Sequence, residues 1–136
     1  MAYKWDSSLE TGYELIDNQH KQLVSALNKL LEACREGHGK EKLAQTLDFL
    51  TGYTIKHFAD EEKLQIKYQY PDYLTHKQYH DDFKITVKDL AEQLIEEGPT
   101  DELVGMVNTS IGDWLLNHIK GDDFRMAAYV KAQNIS

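Results

Sequence analysis

The chain has 136 residues, enough for one domain with a proper hydrophobic core. Hydrophobic residues make up 41% and charged residues 28% of it, as is ordinary for a globular protein in water. The formal net charge of −8 argues against nucleic acid or an anionic membrane as a partner, and no apolar run is long enough for a membrane span.

Cysteine usage and the N-terminus set the expected compartment. The one cysteine, Cys34, excludes an intramolecular disulfide and a cysteine-ligated metal cluster, and it fits a reducing environment. The first residues lack the apolar run of a signal peptide. We therefore expect a cytoplasmic monomer, with a module of a larger sensor as the alternative.

In chain order, residues 1–12 are predicted to form an arm anchored by Trp5 and Leu9. Apolar residues then recur at steps of three and four in four segments, which is the pattern of a helix with one buried face. Asp17 is a candidate N-cap for the first helix, and Thr100 or Asp101 for the fourth. The predicted helices cover about 13–36, 40–68, 71–97, and 101–120 or beyond. Short breaks between them predict an all-α, up-down-up-down four-helix bundle with an N-terminal arm.

Polar residues with metal-ligand chemistry occupy core positions of these helices. They are His20, His57, Glu61, His76, His80 and His118. Because neighbouring helices run in opposite directions, all of them fall at the same end of the bundle. Burying so many unpaired polar groups would cost about 1–3 kcal/mol each, against a domain stability of about 5–15 kcal/mol. A metal shared by these side chains would provide a partner for all of them.

The number of ligands indicates two metals rather than one. Five imidazoles and one or two carboxylates exceed the needs of a single octahedral ion, so carboxylates are expected to bridge two ions. The second bridge must come from Asp122 or Asp123, which follow His118. A regular helix favours Asp122, whereas Asp123 requires a wider helical turn near Gly121.

These residues resemble the signature of the hemerythrin family and of its single-domain bacterial members, the bacteriohemerythrins. The signature is a first histidine followed by His-x-x-x-Glu, His-x-x-x-His and His-x-x-x-x-Asp, and the resemblance runs from Trp5 to about Tyr129. It selects Asp123 over Asp122. The ligand set that the resemblance implies is His20, His57, Glu61, His76, His80, His118 and Asp123.

The resemblance also implies a cofactor and a function for a domain spanning residues 1–136. Two iron ions would share Glu61, Asp123 and an oxo or hydroxo bridge. One iron would take three histidines, and the other would take only His20 and His57, which leaves a position for dioxygen. The implied function is reversible oxygen binding for storage, delivery or sensing rather than catalysis.

A bound oxygen molecule needs a dry pocket. Apolar candidates one turn from the predicted ligands, which equally suit plain core packing, are Leu23, Phe58, Trp114, Leu115 and Ile119. The run Glu61-Glu62-Lys63 is predicted to be a solvated face apart from Glu61.

Three alternatives stay open from the sequence. The first is a di-iron oxidase or peroxidase acting on oxygen, peroxide or nitric oxide. The second is an iron store, which the lack of Glu-x-x-His pairs disfavours. The third is zinc or manganese in place of iron, because imidazole and carboxylate suit those metals too.

Overall fold

The computed structural model describes residues 3–134, which form helices and connecting turns without strands. After a short 3-10 helix at Ser7–Leu9 come three long helices: α1 (Glu14–Arg35), α2 (Gly39–Lys67) and α3 (Tyr73–Glu97). A fourth helix, α4, covers residues 101–134. The predicted all-α four-helix bundle is confirmed. Residues 1 and 2 of the predicted arm, and residues 135 and 136 at the end of the predicted domain, lie outside the described residues.

Helix α4 contains two π-helical segments along its length. Its segments are Asp101–Met106, Val107–Asp113, Trp114–His118, Ile119–Asp123 and Phe124–Asn134, of which the second and fourth are π-helical. The residues at each junction keep right-handed helical backbone angles, so the helix runs on without a break. A π segment places residues five apart, rather than four apart, on one face.

The predicted caps have different outcomes. The Thr100 hydroxyl accepts a hydrogen bond from the Leu103 N–H at 3.0 Å, as an N-cap should. The prediction for Asp17 is wrong, because α1 begins at Glu14 and Asp17 lies inside its first turn. Its carboxylate instead accepts hydrogen bonds from the backbone N–H and the hydroxyl of Thr11, both at 2.7 Å. Asp17 therefore ties the arm to α1.

The arm lies across α1 and α4 and is held at its start by Tyr3. The Tyr3 N–H donates to Asn28 Oδ1 at 2.7 Å, and Asn28 Nδ2 donates back to the Tyr3 carbonyl at 2.6 Å. The Tyr3 hydroxyl donates to the Asn108 carbonyl at 2.9 Å, within the first π segment of α4. A Cβ added at Gly112 would overlap that hydroxyl, so the close approach depends on a glycine.

The apolar core is divided by the predicted polar residues. The larger part is built from stripes of all four helices, with Leu27, Leu47, Leu90 and Ile111 among its buried members. A smaller cluster of Tyr70, Met126 and Val130 lies where α2 ends and α4 continues past Asp123. The polar residues contact both clusters, because Phe58 of the larger one packs on His80 and Tyr70 of the smaller one packs on His76. Within the described residues, no helix has the length and apolar character to span a membrane.

Candidate metal centre

The bundle brings all seven predicted ligands to one place. His20 lies near the start of α1 and the His76–His80 pair near the start of α3, while His57 and Glu61 lie near the end of α2. Because neighbouring helices run in opposite directions, these residues lie at similar heights along the bundle axis. Each of the seven side chains belongs to a residue no more than 3% exposed. Such a concentration of titratable groups inside a small domain requires a compensating charge.

The histidines direct Nε2 at the two central carboxylates. The Nε2 atoms of His57 and His80 each lie 3.1 Å from a Glu61 oxygen. The Nε2 atom lies near an Asp123 oxygen in three other histidines, at 2.9 Å for His20, 3.0 Å for His76 and 3.2 Å for His118. Glu61 and Asp123 therefore lie between the rings.

The ligand atoms form two overlapping groups, and within each group they all lie within 4.8 Å of one another. The first group has three histidines: His76, His80 and His118. The second has two: His20 and His57. Glu61 and Asp123 belong to both groups. The two groups that could hold a metal ion thus share two carboxylates and have unequal numbers of nitrogen atoms.

The unpaired atoms of this cluster fit a cation. Buried side-chain atoms without a hydrogen-bond partner include both oxygens of Glu61, both oxygens of Asp123, and Nε2 of His20, His57 and His76. In addition, Nε2 of His80 and Nε2 of His118 face each other at 3.2 Å. Two neutral rings would oppose lone pairs there, whereas a cation or a proton between them removes the repulsion.

Several histidines have a partner on the opposite ring nitrogen, Nδ1. His80 Nδ1 lies 3.0 Å from Glu62 Oε2, and His118 Nδ1 lies 2.8 Å from Asp122 Oδ2. Because an ionised carboxylate only accepts, Nδ1 carries the hydrogen and Nε2 is left free to bind a metal. The predicted solvated face is wrong for Glu62, whose side chain is only 16% exposed.

His57 has an amide partner instead of a carboxylate. Its Nδ1 lies 2.7 Å from Gln19 Oε1, and Gln19 Nε2 donates to Asp60 Oδ2 at 2.7 Å. Gln19 and Glu62 were missed as functional residues from the sequence. The available signal was their position next to a predicted ligand, with a residue type that can accept from imidazole.

The second π segment of α4 separates the roles of Asp122 and Asp123. Ile119–Asp123 is π-helical, so Asp123, five residues after His118, points into the cluster. Asp122 lies on the outer side, between His118 and the guanidinium of Arg125. The wider turn near Gly121 that Asp123 requires is therefore present.

The predicted pocket residues belong to the apolar core, and two of them contact ligand rings. Leu23, Phe58, Leu115 and Ile119 are almost completely buried, and Trp114 is partly buried. Phe58 stacks on the His80 ring at 3.7 Å, and Trp114 stacks on the His118 ring at 4.5 Å between centroids. On the other side, a polar cleft of about 210 Å³ reaches His76.

Protonation in the metal-free cluster follows from these contacts. Burial tends to lower the pKa of His20 and His76, but the close carboxylates of Asp123 and Glu61 outweigh it and raise each pKa to about 9. Burial also opposes the charge of His118, yet Asp123 and Asp122 raise its pKa to about 10. Burial tends to raise the pKa of Glu61 and Asp123, and the imidazoles hold both well below the ordinary range. Protons therefore occupy, in part, the place of cations.

Fold and site together define a four-helix-bundle protein with a buried histidine and carboxylate cluster that fits a metal site. A family model described as the hemerythrin HHE cation binding domain matches residues 11–130. The chain belongs to the hemerythrin family.

Individual relatives agree with this assignment. A bacteriohemerythrin of Pseudomonas aeruginosa is 36% identical over 132 residues, which cover 94% of this chain and 79% of that protein. A myohemerythrin of Theromyzon tessulatum is 34% identical over 125 residues, covering 90% of this chain and 89% of that protein. A crystal structure of a leucine-to-phenylalanine mutant superposes with a TM-score of 0.79 and 27% identity, covering 96% of this chain and 98% of the other.

Proposed function

We propose that this protein binds dioxygen reversibly at a non-haem di-iron centre, for oxygen storage, delivery or sensing. The proposed ligands are the three-histidine group His76, His80 and His118, the two-histidine group His20 and His57, and the shared carboxylates Glu61 and Asp123. Hemerythrin membership supports iron as the metal. When bound, such a pair of irons supplies two electrons and an open coordination position to an oxygen molecule.

The unequal ligand groups are the observation that carries this proposal. The first group offers three nitrogens and two carboxylates, and the second offers two nitrogens and the same two carboxylates. With one ligand fewer, the second position is the one that accepts a small gas molecule. A symmetric cluster would give no reason for binding at one ion.

Neighbouring residues of the chain support binding over turnover. Five neutral imidazoles supply less negative charge than the carboxylate-rich sites of ferritin-like proteins, so they stabilise highly oxidised iron less. Leu115 and Ile119, which are 1% and 0% exposed, limit the access of water. Glu62, Asp122 and Gln19 hold their histidines with Nε2 directed inward.

Rapid mixing of the iron-loaded, reduced protein with oxygen tests the proposal. We expect an oxygenated species that persists and returns to the reduced spectrum when oxygen is removed, at about two irons per chain by elemental analysis. Zinc as the resident metal would instead give no visible spectrum and would overturn the assignment.

A di-iron oxidase or peroxidase is the second candidate, and the polar cleft at His76 favours it. The cleft is lined by Tyr70, Asp72, Thr75, His76, Tyr79, Asp122 and Arg125. These groups could deliver protons to a reduced oxygen species, and proton delivery promotes turnover. Rapid formation of ferric protein with continuous oxygen consumption in the same mixing experiment would identify this activity.

The proposal extends to the working form of the chain. We propose one domain over residues 1–136 that acts as a cytoplasmic monomer, consistent with a single cysteine. Sedimentation of the iron-loaded protein at several concentrations measures the oligomeric state.

A further inference from the structure

The charges around the cluster are distributed unequally between its two halves. Glu62 and Asp122 contact His80 and His118, and both histidines belong to the three-histidine group. Both carboxylates are partly shielded from solvent, with side-chain exposures of 16% and 23%. Two negative charges therefore lie directly behind the ligands of one metal position.

The two-histidine group has a neutral environment instead. His57 donates to the Gln19 amide, and the next charge, on Asp60, lies beyond that amide. The orientation of the amide is determined, because the reverse orientation would direct its oxygen at the Asp60 carboxylate. His20 Nδ1 is buried and, among the described residues, has no hydrogen-bond partner. No carboxylate therefore reaches the Nδ1 atoms of His20 or His57 directly.

This difference has a chemical consequence for bound metals. A carboxylate that accepts from Nδ1–H makes the imidazole a more basic ligand, and a more basic ligand favours the higher oxidation state of its metal. An amide oxygen fixes the ring in the same way but adds no charge. Glu62 and Asp122 should thus act electronically, whereas Gln19 should act mainly by orienting His57.

We propose that Glu62 and Asp122, acting through His80 and His118, give the three-histidine metal the lower reduction potential. Gln19 orients His57 and leaves the gas-binding metal easier to reduce. This inference rests on the proposed di-iron centre. Its consequence is that the two irons change oxidation state at separate potentials, and the iron with the open position is reduced first.

Anaerobic spectroelectrochemistry of the iron-loaded protein tests this assignment without oxygen. The variants are Glu62→Gln and Asp122→Asn, which keep size and remove charge, and Gln19→Leu, which removes the acceptor. Asp81→Asn is the matched control, because Asp81 is next to His80 but pairs with Lys77 and Lys84 at 2.9 and 3.2 Å. It removes one nearby charge without removing a histidine contact.

We expect Glu62→Gln and Asp122→Asn each to raise the lower of the two one-electron potentials more than Asp81→Asn does. Gln19→Leu should move the upper potential instead. Equal shifts in all three carboxylate variants, or equal shifts of both steps, would overturn the inference. Failure of the unmodified protein to hold two irons would count against the proposed function itself.

Cobalt(II) titration of the metal-free variants gives a second readout that is independent of redox chemistry. Mutation of an outer partner of a metal-bound histidine, here by removing its charge, lowers metal affinity by about 10- to 100-fold. We expect that loss for Glu62→Gln and Asp122→Asn but not for Asp81→Asn. Wild-type cobalt affinity in both variants would contradict an action of these carboxylates through His80 and His118, even if one variant failed to load iron.

Discussion

Asp122 and Asp123 are adjacent in the sequence, yet their carboxylates lie in different environments. Asp123 is fully buried between His20, His76 and His118, while Asp122 contacts the outer nitrogen of His118 and the exposed Arg125. One residue of difference separates a proposed bridging ligand from an outer partner.

We predict that Asp123→Asn loses most of its iron, because both proposed metal positions share this carboxylate. Asp122→Asn should still load in iron excess, since its loss weakens affinity by only about 10- to 100-fold. Elemental analysis after desalting measures the iron content of each variant. Similar iron content in the two variants would show that Asp123 is not a shared ligand.

The apolar side chains beside the cluster are expected to control the lifetime of bound oxygen. Leu115→Ala or Ile119→Ala opens space next to the ligands, so water should enter and autoxidation should accelerate. Each substitution also costs about 2–5 kcal/mol of stability. The decay of the oxygenated spectrum measures the effect.

Leu90→Ala is the matched control, because Leu90 is a buried core residue on α3, ten residues after His80. It should lose similar stability without faster decay. Equal decay rates in all three variants would assign the effect to stability alone.

At the level of single residues, a periodic pattern predicted which histidines are buried but not what lies behind them. Glu62 is one position away from the inward stripe of α2, so its charge suggested a solvated side chain. Its contact with His80 on α3 depends on how two helices pack, which local spacing does not encode. The same limit applies to Gln19, which reaches His57 across the bundle.

Helix α4 contains local changes of winding that a prediction of helix alone does not describe. Its two π segments, Val107–Asp113 and Ile119–Asp123, coincide with the contact to the arm and with the proposed metal ligands. Stripe periodicity predicted a helix here. The extra width was foreseen only near Gly121, where the family signature places the two ligands five positions apart, and the segment at 107–113 had no comparable signal.

Gly112 provides a test of the arm contact. We predict that Gly112→Ala lowers the free energy of unfolding by about 1–3 kcal/mol, because the new methyl group overlaps the Tyr3 hydroxyl and displaces the arm. Chemical denaturation measures the stability, and limited proteolysis reports release of the arm.

Gly105→Ala is the control for that substitution, since Gly105 is also in α4 and an added Cβ there meets nothing within 4 Å. It should raise stability by about 0.5–1 kcal/mol through helix propensity. A stabilising effect of Gly112→Ala would contradict the packing of Tyr3 on α4.

For the whole molecule, folding and metal binding are expected to respond to pH in opposite ways. In the metal-free protein, His20 and His76 have pKa values of about 9, and His118 about 10, against an ordinary 6.5. Raised values stabilise the folded state fully below pH 6.5, and that contribution is lost as pH rises through 9 to 10. Metal binding displaces the same protons and becomes tighter as pH rises.

We therefore predict that the difference in Tm between iron-loaded and metal-free protein widens as pH rises from about 6 to about 9. Calorimetry at several pH values measures both Tm values, and titration in buffers of different ionisation enthalpy counts the protons released. A Tm difference independent of pH would mean that the metal does not displace protons from these histidines.

The fold of the whole chain was predictable because four stripes and three short breaks leave few alternatives to an antiparallel bundle. The meeting of the candidate ligands at one end followed from the same connectivity. What connectivity does not specify is local winding and side-chain contact between helices. Asp17 illustrates this: its sequence position suits a cap, while in the folded chain it binds the arm.

Glu61 and Asp123 each belong to both ligand groups, and this sharing has a consequence for assembly. The first ion to bind orders both carboxylates, and so preforms most of the site for the second ion. Loading should therefore be cooperative, with chains that hold a single ion scarce at half saturation. Native mass spectrometry of partly loaded protein would show mainly empty and doubly filled chains.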